Sequence, residues 1–261
     1  MSLVVGQTYQ AVGINLKGIP LGENDRLITV LTREYGLLKL VAVGARKYQS
    51  GLAGRSLAFR VNQLVLVRGR TLDKIRQADP VMSFPQLSQD FLKLTCAQYL
   101  GEIALMQALT GQPQVELFEL LVEHYRRIDE AESRAVLPHL VHGIYHLLAI
   151  AGFAPSLHRC CLTQRAIGVS QAGFSVVGGG LVALGGVHDL DSQISHYLTA
   201  EEVGALQELG QVQLTEGTIA LPLPVWLTLE KVLRACTQYY FDQPLHSPPL
   251  LDNYSWHDSP F

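Results

Sequence analysis

Basic side chains concentrate in the first third of the chain, and their chemistry is the binding of a polyanion. Residues 1–80 hold twelve Lys or Arg against five Asp or Glu, a net +7, whereas residues 81–261 hold eight against eighteen, a net −10. Lys and Arg neutralise phosphates and release condensed counterions without reading base sequence. The candidate nucleic-acid contacts are Arg33, Lys39, Arg46, Lys47, Tyr48, Arg55, Arg68, Arg70, Lys74 and Arg76.

Several of these residues have a second interpretation. Tyr48 follows Arg46-Lys47 and is suited to stack on an unpaired base, but a tyrosine that covers the rim of a barrel fits equally well. Some of the charges could simply solvate a surface. Arg26 is interpreted as a structural partner of Glu23 or Asp25 and is left out of the set.

The elements that carry these residues have the pattern of β-strands separated by turns. Gly- and Arg-bearing connections join them, and the connection after the third strand is long. Five short strands in about 80 residues favour a small closed barrel of the OB type, although an SH3-like barrel also fits. The predicted strands are Tyr9–Leu16, Arg26–Thr32, Leu37–Val43, Leu57–Val67 and Leu72–Ala78.

After Pro80 and Pro85 the period of the apolar residues becomes helical. Helices are predicted over Ser88–Thr110, around 117–128 and around 137–151, then at Thr199–Leu209 with a capping box, and at Pro224–Phe241. The fold class is therefore α+β: a five-stranded OB-like barrel, then a helical domain with a small insert. The predicted segments are 1–80 (barrel), 81–152 (helical bundle), 153–190 (insert), 191–243 (C-terminal helices packing on the bundle) and 244–261 (extended tail).

Several stretches together resemble the RecO family of DNA repair proteins. They are Gly22–Asp25 (GEND), Thr32–Gly36 (TREYG), Gly44–Lys47 (GARK), Arg68–Asp79 (RGRTLDKIRQAD) and Gly152–Cys160 (GFAPSLHRC), in the family's order. The resemblance implies a mediator that binds single- and double-stranded DNA, promotes annealing and helps to load recombinase. It also implies RecR and the C-terminal tail of the single-strand-binding protein SSB as partners.

The insert departs from the family's zinc-finger pattern of two CxxC pairs. Cys160 matches the first position, but Thr163 stands at the second, and Leu181–Gly185 occupies the place of the second pair. Because tetrahedral zinc sites need four ligands, we expect a degenerate zinc-finger-like insert with no metal and no other cofactor. Small apolar residues are expected to pack where the metal would lie.

Other constellations give weaker signals. His139, His142 and His146 share one helical face, for which a polar surface is the favoured interpretation over a metal site. His188 with Asp189 and Asp191 is interpreted as a turn. The sequence has no GxxxxGK[ST] and no GxSxG motif, which favours a non-enzymatic protein.

The remaining sequence features concern location and rival functions. Four cysteines suggest reduced thiols, and neither a spanning apolar run nor a signal segment is found, so we expect a cytoplasmic protein without a membrane partner. The alternatives to DNA are an RNA-binding OB protein and an interaction scaffold whose basic barrel binds an acidic partner. A metal-dependent hydrolase comes last.

Overall fold

The computed structural model describes residues 6–185 and 193–256. Within them the chain forms two compact units, one up to Asp129 and one from Glu130 onward. This boundary falls inside residues 81–152, which the apolar periodicity predicts to be one helical bundle. That bundle remains a prediction.

The first unit contains the predicted five-stranded barrel. Its order is β1-β2-β3-β5-β4, closed by antiparallel pairing of β1 with β4 and by a short parallel pairing of β3 with β5. The α+β fold with an N-terminal OB-like barrel is thereby confirmed. The strands are β1 Thr8–Leu21, β2 Asp25–Thr32, β3 Gly36–Ala42, β4 Arg60–Val67 and β5 Asp73–Ser83.

Alternation of apolar and polar residues places the barrel core. Ile28, Val30, Leu40 and Leu64, for example, point inward and are fully buried. Because neighbouring side chains in a strand point to opposite faces, the polar residues between them lie on the outside of the barrel.

β5 breaks this alternation at a bulge. Ile75 and Ala78 are both buried although they are three positions apart, and Arg76 and Gln77 between them are both exposed. The register with β4 shifts at this point, where Val65 pairs with Gln77 but Leu66 pairs with Ile75. The extra residue therefore lets Arg76 and Gln77 both face outward while Ile75 and Ala78 stay in the core.

Three helices complete the first unit: α1 Gln86–Gln89, α2 Phe91–Gln107 and α3 Val115–Glu130. The single helix predicted over Ser88–Thr110 is wrong at its start. Asp90 has extended backbone (φ −106°, ψ 126°) and its carboxylate accepts the Lys93 N–H at 2.9 Å, so the residue ends α1 and caps α2.

The α2–α3 connection pairs with the turn between β2 and β3. The Leu37 N–H donates to the Leu109 carbonyl at 2.8 Å, and Gly36 forms a β-bridge with Thr110. Gly36 has φ +64°, and a Cβ there would collide with the Leu109 carbonyl oxygen, so only glycine fits. This contact places Thr110 beside the first residues of β3.

The second unit combines helices with a small antiparallel sheet. Thr199 and Glu202 form the predicted capping box of α5. The tail predicted to be extended is wrong over Pro248–Asp252, which form a short helix with Leu251 buried. The elements are α4 Ser133–Ile150, β6 Ala172–Ser175, β7 Gly180–Ala183, β8 His196–Leu198, α5 Ala200–Glu208, α6 Glu216–Ile219, α7 Leu223–Phe241 and α8 Pro248–Asp252.

Candidate nucleic-acid interface

Three predicted cations lie on the outer face of β3 and β5. Lys39, Lys74 and Arg76 are exposed, whereas their strand neighbours Leu40 and Ile75 point into the core. Lys74 pairs with Val41, two residues after Lys39 on the same face of β3, so the two lysines are diagonal neighbours. Since a strand rises about 3.3 Å per residue, Arg76 lies roughly 7 Å farther along. The parallel pairing that closes the barrel thus brings Lys39 close to Lys74 and Arg76, which follow it by 35 and 37 residues in the sequence.

The β4–β5 turn is held in one conformation by Asp73. Its carboxylate accepts the Gly69 N–H at 3.0 Å, pairs with Arg68 at 2.9 Å and accepts the Tyr9 hydroxyl. The Arg68 guanidinium also lies 4.1 Å from the centre of the Tyr9 ring. Burial and the Asp73 carboxylate raise the pKa of Tyr9, which keeps the phenol protonated as a donor. Arg68 therefore positions this turn, while the neighbouring Arg70 remains exposed.

The turn and the start of β3 enclose a concave surface of about 470 Å³. Lys39 and Arg70 both line it. In OB-folds the face of strands 2 and 3, with the loops after strands 1 and 4, is where oligonucleotides bind. Lys39 and Arg70 lie on this face and in the second of these loops.

The long β3–β4 connection, residues 43–59, is anchored to the barrel at its beginning. The Asp25 carboxylate accepts the Gly44 N–H at 2.7 Å. Arg46 donates from its backbone to the Asn24 carbonyl at 2.9 Å and from its guanidinium to the Gly22 carbonyl at 2.8 Å. Neither carbonyl carries a net charge, so Arg46 keeps its full positive charge beside the β1–β2 turn.

The same connection is anchored at its end by two asparagines from inside the barrel. Asn15 and Asn62 are 1 % exposed. The Asn15 amide donates to the carbonyls of Arg55 and Leu57, both at 2.8 Å, and the Asn62 amide donates to the Arg55 carbonyl at 3.0 Å. Arg26 adds a bond to the Ser56 hydroxyl at 3.1 Å. Arg26 is thus structural as predicted, but the partners predicted for it, Glu23 and Asp25, are wrong.

Between its anchors the connection presents Lys47 and Tyr48 to solvent. The Tyr48 side chain is 99 % exposed, so it covers no part of the barrel rim. Successive short turns, in which the Lys47 N–H donates to Gly44 at 3.0 Å and the Ser50 N–H donates to Lys47 at 3.1 Å, order the backbone beneath it. An exposed ring on an ordered backbone, next to two cations, is the arrangement that stacking on an unpaired base needs.

Two further predicted residues have acidic partners. Arg33 forms a 2.7 Å ion pair with Glu119. Arg55 lies 4.0 Å from Asp79, and both side chains are largely exposed. Most of the predicted cations therefore lie on the barrel. The Glu119 carboxylate neutralises the charge of Arg33, and the Asp79 carboxylate reduces the positive potential around Arg55.

The asparagines that support the site were not predicted from the sequence. Asn15 and Asn62 interrupt strands that otherwise place apolar side chains in the core, and a buried amide is costly unless it is hydrogen-bonded. An asparagine at a core position of each of two strands indicates that a neighbouring segment has backbone carbonyls that accept hydrogen bonds from these amides. The sequence did not show which segment.

The histidine cluster is not an exposed polar face. His142 is fully buried, and its Nε2 lies 2.9 Å from the Gln211 carbonyl oxygen, which His146 Nε2 approaches at 3.1 Å. The polar-surface interpretation is therefore wrong at His142. Within residues 6–185 and 193–256, no group of three or more His, Cys, Asp or Glu is arranged to hold a metal ion. The group His188, Asp189 and Asp191 lies outside the described residues.

In the insert, Cys160 is buried and its sulfur accepts the Thr163 N–H at 3.4 Å. Burial alone would raise the pKa of this thiol, but hydrogen bonds from Thr163 and from the backbones of Ala183 and Leu162 outweigh it and lower the pKa. Leu181 packs in the core beside this turn and accepts the Cys161 N–H at 2.8 Å. Hydrogen bonds and apolar packing thus hold the turn around Cys160.

Two family models match the chain. The model described as "Recombination protein O N terminal" covers residues 6–84, which coincides with the barrel, and "Recombination protein O C terminal" covers residues 88–249. This chain belongs to the RecO family. The predicted membership is confirmed, and with it a place among DNA repair and recombination proteins.

Relatives of this RecO family member are similar over nearly their whole length. Proteins named "DNA repair protein RecO" from Gloeothece citriformis, Gloeobacter violaceus and a Nostoc species are 44%, 45% and 40% identical to it. The matches cover 95%, 95% and 96% of this chain and 98%, 94% and 97% of the relatives. In the part of the chain that the structure describes, no helix has the length and apolarity to cross a membrane.

Proposed function

We propose that the barrel binds the phosphate backbone of single- and double-stranded DNA and carries out no chemical step. One observation carries the proposal: six exposed cations of the predicted set have no carboxylate partner among the described residues. They are Lys39, Arg46, Lys47, Arg70, Lys74 and Arg76. Lys39 and Arg70 lie on the face and in the loop where OB-folds bind oligonucleotides. The other four lie on β5 and in the β3–β4 connection of the same barrel.

Neutralisation of two complementary strands lowers their mutual repulsion, so the same surface promotes annealing. Within the family role, the protein helps to load recombinase onto strands coated with SSB. RecR and the SSB C-terminal tail are the protein partners of the proposal, which the family supports. The second half of the chain carries an acidic excess and presents surfaces to proteins rather than to DNA.

A salt titration of binding to a labelled single strand tests the proposal. Each phosphate contact contributes about −0.7 to the slope of log K against log salt for single strands. The triple variant Lys39→Glu, Arg70→Glu, Lys74→Glu should therefore bind all sequences more weakly, with a slope shallower by about 2.

The matched control is Arg134→Glu, Arg159→Glu, Lys231→Glu, which changes the net charge equally but lies in the second unit. It should keep the parental slope. A barrel variant that binds like the parent, or a control that loses as much as the barrel variant, would refute the assignment of the site. Preference for RNA in a competition at fixed salt would favour the RNA-binding alternative, and no affinity for either polymer would favour the scaffold.

A further inference from the structure

The concave surface beside β3 has walls of two chemical kinds. Leu37, Leu38 and Leu72 supply apolar contacts. Lys39 and Arg70 supply positive charge at its edge, and neither has an ion pair among the described residues. Its volume of about 470 Å³ is within the range of small-molecule sites.

The one carboxylate in the lining does not oppose an anion. Asp73 is occupied by Arg68, by the Tyr9 hydroxyl and by the Gly69 N–H. A Cβ at Gly69 would collide with the Leu72 carbonyl oxygen, so the turn closes tightly and cannot accept a larger residue there. The wall that carries Arg70 is thus rigid before any ligand arrives, which lowers the entropic cost of binding.

A ligand that matches both kinds of wall has an apolar planar part and an attached phosphate. We propose that this cavity takes one unpaired nucleotide of a single strand, its base against the leucines and its phosphate between Lys39 and Arg70. The inference rests on the proposed function and deepens it. Because a duplex must unpair and unstack a base to fill the cavity, the cavity gives the barrel a preference for single strands, which the surrounding cations alone do not give.

Blocking the cavity without changing its charge tests this inference. Thr110 lies on the rim and is exposed, so Thr110→Trp should fill the space and leave the fold intact. Burial of about 60 Å² of the base against the leucines, at about 25 cal/mol per Å², is worth about tenfold in affinity. We expect Thr110→Trp to weaken binding of an oligothymidylate about tenfold, and to leave binding of a duplex and of an abasic strand of the same length within about twofold of the parent.

Gln112→Trp is the matched control, since Gln112 is exposed in the same α2–α3 connection but does not line the cavity. It should bind all three DNAs like the parent. Leu72→Ala removes an apolar wall without adding bulk and should also weaken the oligothymidylate selectively. Equal losses for oligothymidylate, abasic strand and duplex, or no loss for any, would overturn the inference.

Loss of all DNA binding and loss of the single-strand preference are distinguishable results. A parent protein that binds none of the three DNAs at low salt contradicts the proposed function itself. A parent that binds them all, with Thr110→Trp shifting them together, contradicts only the nucleotide cavity.

Discussion

The buried asparagine pair allows a quantitative test of how the β3–β4 connection is held. Asn15→Leu keeps the number and branching of the side-chain heavy atoms but removes two hydrogen bonds at 2.8 Å, to the carbonyls of Arg55 and Leu57. Asn62→Leu removes one, at 3.0 Å, to the Arg55 carbonyl. The two variants therefore differ in the number of anchors lost and not in the kind of residue introduced.

The magnitude follows from these bonds. Each hydrogen bond contributes about 1 kcal/mol net, and an acceptor left buried and unpaired costs about 1–3 kcal/mol. In each asparagine a buried Oδ1 also has no hydrogen-bond partner among residues 6–185 and 193–256, and its removal offsets part of the loss. We expect the free energy of opening the connection to fall by about 2 kcal/mol in Asn15→Leu and by about 1 kcal/mol in Asn62→Leu.

Trypsin reports this opening because the connection contains Arg46, Lys47 and Arg55. When opening is fast relative to cleavage, the cleavage rate follows the open population. Cleavage at these residues should rise about 30-fold in Asn15→Leu and about fivefold in Asn62→Leu. Added single-stranded DNA should slow cleavage in all three proteins. Equal rates in the two variants, or a faster rate in Asn62→Leu, would refute the anchoring scheme.

Two further expectations concern metal and pH. A chelator should leave the melting temperature of the purified protein unchanged, because the Cys160 turn is held by hydrogen bonds and packing, and a large drop in a thermal melt would show that metal supports the fold. Burial raises the pKa of the Cys236 thiol to about 12 from an ordinary 9.0. The folded state therefore holds this proton more tightly than the unfolded state does, and the stability it contributes is complete below pH 9 and declines up to about pH 12. Denaturant titrations between pH 9 and pH 12 should show that Cys236→Ala loses less stability than the parent. Equal losses in the two proteins would contradict the raised pKa of the Cys236 thiol.

Local pattern was enough to predict most elements of this fold. Runs of β-forming residues between turns predicted all five strands, and Thr199 with Glu202 marked the start of α5. The break at Asp90 was missed because the apolar period continues through it, and only the cap on the Lys93 N–H shows that two helices meet there.

The site was predicted in composition but not in arrangement. The sequence indicated which cations belong to the basic third, yet the closeness of Lys39 and Lys74 depends on a parallel contact of only two residue pairs, Leu40 with Asp73 and Val41 with Lys74. No local pattern encodes such a contact. Similarly, the ion pair of Arg33 with Glu119 joins a hairpin turn to a helix 86 positions later.

The bulge in β5 makes one position of this strand unlike the others. Deletion of Gln77 would remove the extra residue and leave Ile75 and Ala78 two positions apart, so that both would still face inward. A one-residue insertion or deletion elsewhere in the strand would instead turn an apolar side chain into water or a charged one into the barrel. Homologous proteins should therefore gain or lose a residue at the bulge more readily than at other positions of β5.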